Sequence, residues 1–172
     1  VLPDVHGAVP RYGASAYTGP TLAEVLGKAG YRSAAFIGGI TLKNGSCGLG
    51  RGFERYDDAF RGETRPGAEV AKAATSWIGE QRGEWFAFVH FFDAHFPYEP
   101  TDPRRYDPDY TGTFDGTDRT LHPHRDRGSA LPERDLQHVE ALYHAEISEL
   151  NEPLERLLAS LDGSEIVVIT AG

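Results

Sequence analysis

A chain of 172 residues with a formal charge of −9 and a single cysteine is one domain by size, expected to span residues 1–172. The acidic balance excludes a general nucleic-acid or anionic-membrane surface, since both need clustered Lys and Arg, and one thiol excludes an internal disulfide or a C-x-x-C metal site. A hydrophobic fraction of 40%, with no apolar run of the roughly eighteen residues needed to span a membrane, is that of a globular protein.

The chain lacks methionine and stops directly after an apolar run, so both ends are expected to be cut from a longer protein. Residues 1–19 are rich in Gly, Pro and Tyr and read as loop, with His6 before Gly7. Thr21-Leu22-Ala23-Glu24 makes a capping box, in which side chain and amide of Thr21 and Glu24 serve each other reciprocally. The helix it opens places Leu22, Val25, Leu26 and Ala29 on one apolar face and ends at Gly30. Residues 32–37 read as a strand closing on Gly38-Gly39, and 41–65 as irregular. A second helix is predicted over 66–81, with Pro66 near its start and Val70, Ala73, Ala74 and Trp77 at helical spacing to cover a sheet.

Residues 85–92, W-F-A-F-V-H-F-F, form an unbroken aromatic and β-branched run with His90 as its one polar interruption. That is the pattern of a parallel strand covered on both faces, with His90 turned toward a helix or a neighbouring strand. Ligands of open α/β sheets bind beyond the carboxyl ends of the strands, which makes Asp93 and His95 the candidate site residues. Pro97 holds Phe96 extended and keeps a helix from starting. Read alone, His95 is also compatible with a turn histidine bonded to a backbone carbonyl, and Asp93 with an orienting or loop-capping carboxylate. Residues 101–130 carry six Asp, five Arg and two His with few apolar side chains, the composition of a lid loop or a disordered excursion. Arg104, Arg105, Arg119, Arg125 and Arg127 are its candidate contacts to an anionic substrate. His122 and His124 lack a third ligand, so no metal site is read there. Leu136, Val139, Tyr143, Ile147, Leu150, Leu154, Leu157 and Leu161 then give one helical stripe, which Pro153 should kink or divide near Asn151. Residues 164–170, S-E-I-V-V-I-T, read as a buried strand parallel to 32–37 and 85–92.

F-V-H-F-F-D-A-H-F-P-Y resembles the D-x-H-x-P-Y segment of sulfatases, the sulfate ester hydrolases of the alkaline phosphatase superfamily. H-G-A at His6, T-L-A-E-V-L-G-K-A-G-Y-R-S-A-A-F from Thr21, G-L-G-R-G-F-E-R-Y-D-D from Gly48 and Y-H-A-E-I from Tyr143 follow in the family's order. The resemblance implies part of an α/β sandwich, a mostly parallel sheet with helices on both faces. It implies an enzyme for a small-molecule or glycan sulfate ester, with a formylglycine nucleophile and a divalent cation, calcium or magnesium. The nucleophile and the cation's ligands are expected outside this segment, so the segment alone is expected to be inactive. His95 is then implied to donate to the sulfate oxygens or protonate the leaving oxygen, with Asp93 and His6 as further substrate-side residues. Two departures stand out. The family's G-K-W-H after the first strand is Gly38-Gly39-Ile40-Thr41 here, and Cys47 lies in C-G-L-G-R, which lacks the Pro and Ser of the formylglycine motif C-x-P-S-R and excludes it as nucleophile. A phosphodiesterase or phosphoglycerol transferase of the same superfamily, or a non-catalytic binding module on the same scaffold, are the alternative readings.

Overall fold

The computed structural model describes residues 18–127 and 130–171; His6, and the side chains of His122, Arg125 and Arg127, lie outside the described residues. Three strands, β1 (Arg32–Ile37), β2 (Arg55–Asp57) and β3 (Trp85–His90), form an all-parallel sheet in the order β2-β1-β3. Helices α1 (Leu22–Lys28), α2 (Asn44–Cys47), α3 (Gly67–Gly79), α4 (Asp118–Arg127) and α5 (Glu133–Ala159) complete it, so the architecture is α/β. No helix among the described residues is long and apolar enough to cross a membrane.

The central strand carries the core. Ala34, Ala35, Phe36 and Ile37 of β1 are fully buried. Successive side chains of a strand point to opposite faces, and Ala34 and Phe36 share theirs with Trp85, Ala87 and Val89 of β3. Against that face α3 packs Val70, Ala71, Ala74 and Trp77. The Trp77 ring lies 6.2 Å from Phe36 and 6.3 Å from Trp85, in tilted and edge-on geometry. Leu157 of α5 joins the same cluster, so the layers run sheet, α3, α5.

At α1 the capping box is present as read: the Glu24 amide donates to the Thr21 hydroxyl at 3.1 Å and the Thr21 amide donates to the Glu24 carboxylate at 2.8 Å. Gly30 follows at φ +93°, where a side chain would be strained. The buried residue is Ala23, however, while Leu22 and Val25 are 59% and 49% exposed. A seven-residue helix lying close against β1 buries Ala23, half-buries Leu26 and turns Leu22 and Val25 outward. The interval 41–65, read as irregular, contains β2, whose R-Y-D is too short and polar to register as a strand. Strand β3 stops at His90, two residues short of the expected end, and is only partly buried because it is the outer strand among those described.

Three expectations for the last third are corrected. On α5 the buried residues are His138, Ala141, Leu142, Ala145, Glu146, Pro153 and Leu157; of the predicted stripe Leu157 is buried, but the first half of the helix is rotated from it, with Leu136, Tyr143 and Ile147 exposed. Leu157 is the α5 residue that enters the cluster under α3, while Ala141 and Ala145 are buried further along the helix. The helix also runs undivided through Pro153, because one lost backbone donor is outweighed by packing along the rest of its length. Residues 164–170 form no ladder with any of the described residues, and Ile166, Val167, Val168 and Ile169 are 50–94% exposed. Their β-branched composition supplies strand propensity without a partner.

The segment from 101 to 117 is laid along α5 as a strap. Glu149 accepts from the Thr101 amide at 2.7 Å, Tyr106 meets Ser148 at 2.6 Å, and Tyr110 donates to Asp135 at 2.6 Å. Between them Asp107 takes both Arg134 guanidinium nitrogens at 2.6 Å and bonds the buried His138 at 2.9 Å. These donors, Arg134 foremost, hold the Asp107 carboxyl below the usual range.

Phe36→Ala is expected to cost about 3–5 kcal/mol, read from urea unfolding, because it empties the site between Trp77 and the sheet. Val25→Ala, on the exposed face of α1, should change stability by less than about 0.5–1 kcal/mol.

Candidate functional site

The loop that leaves β3 is shaped first by two glycines at the end of β1. A Cβ on Gly38 would lie 2.7 Å from the His90 carbonyl oxygen, and one on Gly39 would lie 2.6 Å from the Phe92 ring. The pair therefore lets the chain beyond β3 press against the end of β1. Phe92 in turn stacks on His95, ring centroids 4.1 Å apart at 17°. His95 is exposed, and its Nδ1 donates to the Phe96 carbonyl at 2.6 Å. A carbonyl can only accept, so Nδ1 carries the hydrogen of this contact and Nε2 is left for a contact outside the turn. The turn-histidine contact and an available Nε2 thus coexist in one side chain. The Phe96–Pro97 peptide is cis.

Asp93 points the other way, toward α3. The Gly67 amide donates to its Oδ1 at 2.7 Å, satisfying one of the orphan donors of the helix start and placing negative charge at the positive end of its dipole. Pro66, which precedes it, has no capping side chain, so the cap comes from a residue distant in sequence. Asp93 Oδ2 is buried with no partner.

Two further residues meet this loop. His90 shares the Phe92 face of β3, stacked on Phe88 at 6.4 Å and leaning on Phe92 at 5.7 Å, with Nδ1 buried and unpartnered. Burial, with His95 nearby, lowers its proton affinity. Instead of turning to a covering helix, it touches the ring on which His95 rests. Glu146 of α5 is 7% exposed; its Oε1 accepts from the Glu99 amide at 2.8 Å and its Oε2 is buried without a partner. Burial, and then the like charges of Glu149, Asp93 and Glu99, push its pKa up to about 7. Sequence reasoning passed over it because a carboxylate at the edge of an apolar stripe, three residues after Tyr143 and four before Leu150, reads as solvent-facing. A carboxylate four residues after buried Leu142 becomes conspicuous once the helix is correctly rotated.

At the end of β1 the cation present is Arg65, whose amide donates to the Gly38 carbonyl at 2.7 Å. Its guanidinium is committed to Asp57 at 3.1 Å and faces Glu69 at 3.8 Å. Arg119 pairs with Asp115 at 2.8 Å and Arg105 lies over the Tyr106 ring, so both are engaged within the excursion that carries them. Cys47 ends α2 as a half-buried free thiol. Among the described residues no three His, Cys, Asp or Glu side chains are grouped to hold a metal ion. An open groove of about 600 Å³ lies elsewhere, along α1, lined by Gly19, Ala23, Gly27, Lys28 and Arg51. No protein-family model, curated protein or solved structure matches the chain.

Gly39→Ala is expected to push the Phe92 ring aside, costing about 1–3 kcal/mol and shifting the His95 imidazole resonances. Gly27→Ala, where an added Cβ meets nothing within 4 Å, should instead stabilise by about 0.5–1 kcal/mol through helix propensity. Paired thermal unfolding and imidazole NMR check both.

Proposed function

We propose that these residues are the substrate-contacting part of a sulfate ester hydrolase of the sulfatase type, and that the three-stranded sheet is one portion of an alkaline-phosphatase-like sandwich. The observation that carries this reading is the placing of D-A-H-F-P-Y: it leaves the carboxyl end of a parallel strand with His95 exposed and its Nδ1 fixed by a carbonyl. Protonated, Nε2 donates to a sulfate oxygen or to the departing oxygen of the ester. Phe92 holds the ring plane while it does so. A small-molecule or glycan sulfate ester is the substrate class.

In this reading the formylglycine nucleophile and the ligands of a calcium or magnesium ion come from outside these residues. The ion would stabilise charge developing on the ester oxygens. Among the described residues no three His, Cys, Asp or Glu side chains are grouped to hold it. A phosphodiesterase or phosphoglycerol transferase would use the same loop on a phosphate ester. The non-catalytic alternative is favoured by one observation: the end of β1 carries Gly38-Gly39-Ile40-Thr41, and Arg65 beside it is already paired with Asp57.

In the full-length protein, His95→Ala should lower kcat on an aryl sulfate about a hundredfold, roughly 2.7 kcal/mol, without moving the melting temperature. His144→Ala, at an exposed position on α5, should leave kcat unchanged. Equal small effects at both positions would remove His95 from the site, and faster turnover of the aryl phosphate would select the phosphate-ester alternative. The purified 172-residue chain should turn over neither ester. Metal-dependent hydrolysis by it would place the nucleophile and ion ligands within this sequence.

A further inference from the structure

The stretch from Tyr98 to Gly116 is a loop whose two ends are joined. The Tyr98 amide donates to the Gly116 carbonyl at 3.0 Å. Gly116 is buried at φ +79°, and a Cβ there would lie 2.0 Å from the Tyr98 carbonyl oxygen and 3.0 Å from a methyl of Leu142. Leu142 is fully buried, so this closure is seated on the covered face of α5. A surface loop with paired ends and its own side-chain contacts is a compact unit.

Between those ends the fastenings lie outside the core. No residue from 101 to 113 is buried; Asp107 and Tyr110 are half-buried and the others exposed. Toward the start, Glu149 accepts from the Thr101 amide at 2.7 Å and from its hydroxyl at 3.2 Å, and Tyr106 meets Ser148 at 2.6 Å. Toward the end, Asp107 bonds both Arg134 and His138, while the Tyr110 ring stacks on His138 with centroids 3.6 Å apart. The Tyr110 hydroxyl donates to Asp135 at 2.6 Å and accepts from the Phe114 amide at 3.2 Å. Asp107 and Tyr110 thus grip one histidine from a single turn, and neither leaves α5 while the other stays. Beyond them Phe114 rests on His124 at 5.3 Å and Asp115 accepts from Thr117 and Thr120, which keeps 114 and 115 with α4.

Lifting this stretch exposes little apolar area, and each polar contact it breaks contributes modestly because water replaces it. Opening β1 or α3 instead exposes the core cluster. Local opening of the loop therefore lies well below global unfolding in free energy.

We propose that residues 101–113 are a lid that lifts from α5 as one unit, with the Asp107–Tyr110 turn as its catch and the Tyr98–Gly116 pair as its hinge. Tyr98 lies three residues beyond His95, so the lid opens beside the candidate site. The inference concerns the folded chain and stands apart from the identity of any substrate.

Amide hydrogen exchange of the full-length protein tests it. In the wild type the Thr101 and Phe114 amides, at opposite ends of the lid, should share one opening equilibrium and exchange before the amides of β1 and α3. Asp107→Asn should speed both by about tenfold or more and leave β1 and α3 unchanged, although the bond from Thr101 to Glu149 is untouched by that substitution. Thr113→Ala, at an exposed lid position, should alter neither. Acceleration by Asp107→Asn at Phe114 alone, or at neither amide, would overturn the proposal, because the catch would then not govern the whole lid. Equal acceleration in β1 would also overturn it, since the loop would then open only with the entire fold. Wild-type exchange at Thr101 and Phe114 as slow as in β1 excludes the lid without any variant.

Discussion

Everything else in this chain rests on Trp77. Its indole is the one side chain of α3 that meets aromatic rings from both β1 and β3, and Leu157 brings α5 onto the same cluster. A parallel sheet of three strands has little apolar area of its own, so its strands stay together through the helix that covers them. With α3 anchored by Trp77 near one end, its other end is fixed in space beside the loop leaving β3. That is why an Asp in the loop can reach the Gly67 amide. The position of the candidate site is thus a consequence of core packing at the opposite end of a helix.

Much of this was legible. The capping box at Thr21, the strand at 32–37, the helix after Pro66 and the start of the strand at Trp85 follow from period and cap chemistry, and all are present. What escaped was decided by neighbours. Leucine spacing on α5 marks an apolar stripe, but which face is buried depends on the elements packed against it, and Ala141, Leu142 and Ala145 are the ones covered. The same rotation brings Glu146 inward and leaves Tyr143 and Ile147 outside. For the site, Asp93 and His95 could be named from the end of an apolar run, yet their different directions could not. Asp93 turns to a helix start, and His95 stacks on Phe92 because glycines at 38 and 39 leave room for that ring.

The excursion after the site looked polar enough to stay unfolded. It is ordered by side chains that composition alone counts as solvent-facing: an Asp–Arg–His junction at Asp107 and three tyrosine contacts spread along α5. His138 stacks on Tyr110 at 3.6 Å, which couples the junction to the next attachment. Gly116 then closes the strap, accepting from the Tyr98 amide at 3.0 Å where an added Cβ would strike the Tyr98 carbonyl. The loop bearing His95 is consequently held at both ends, by its own strand and by the return of the strap.

The outer edge of β3 and the uncovered run of Ile166, Val167, Val168 and Ile169 have a consequence for handling the protein. An edge strand unpaired among the described residues is a template, and a β-branched stretch that pairs with none of them is a strand that fits it. Together on one chain they are the two halves of an intermolecular ladder, so concentrated solutions will tend toward fibrous growth before they reach ordered crystals. A lysine at Val168, which is 82% exposed and makes no core contact, places a charge in the middle of that ladder at little cost to the fold.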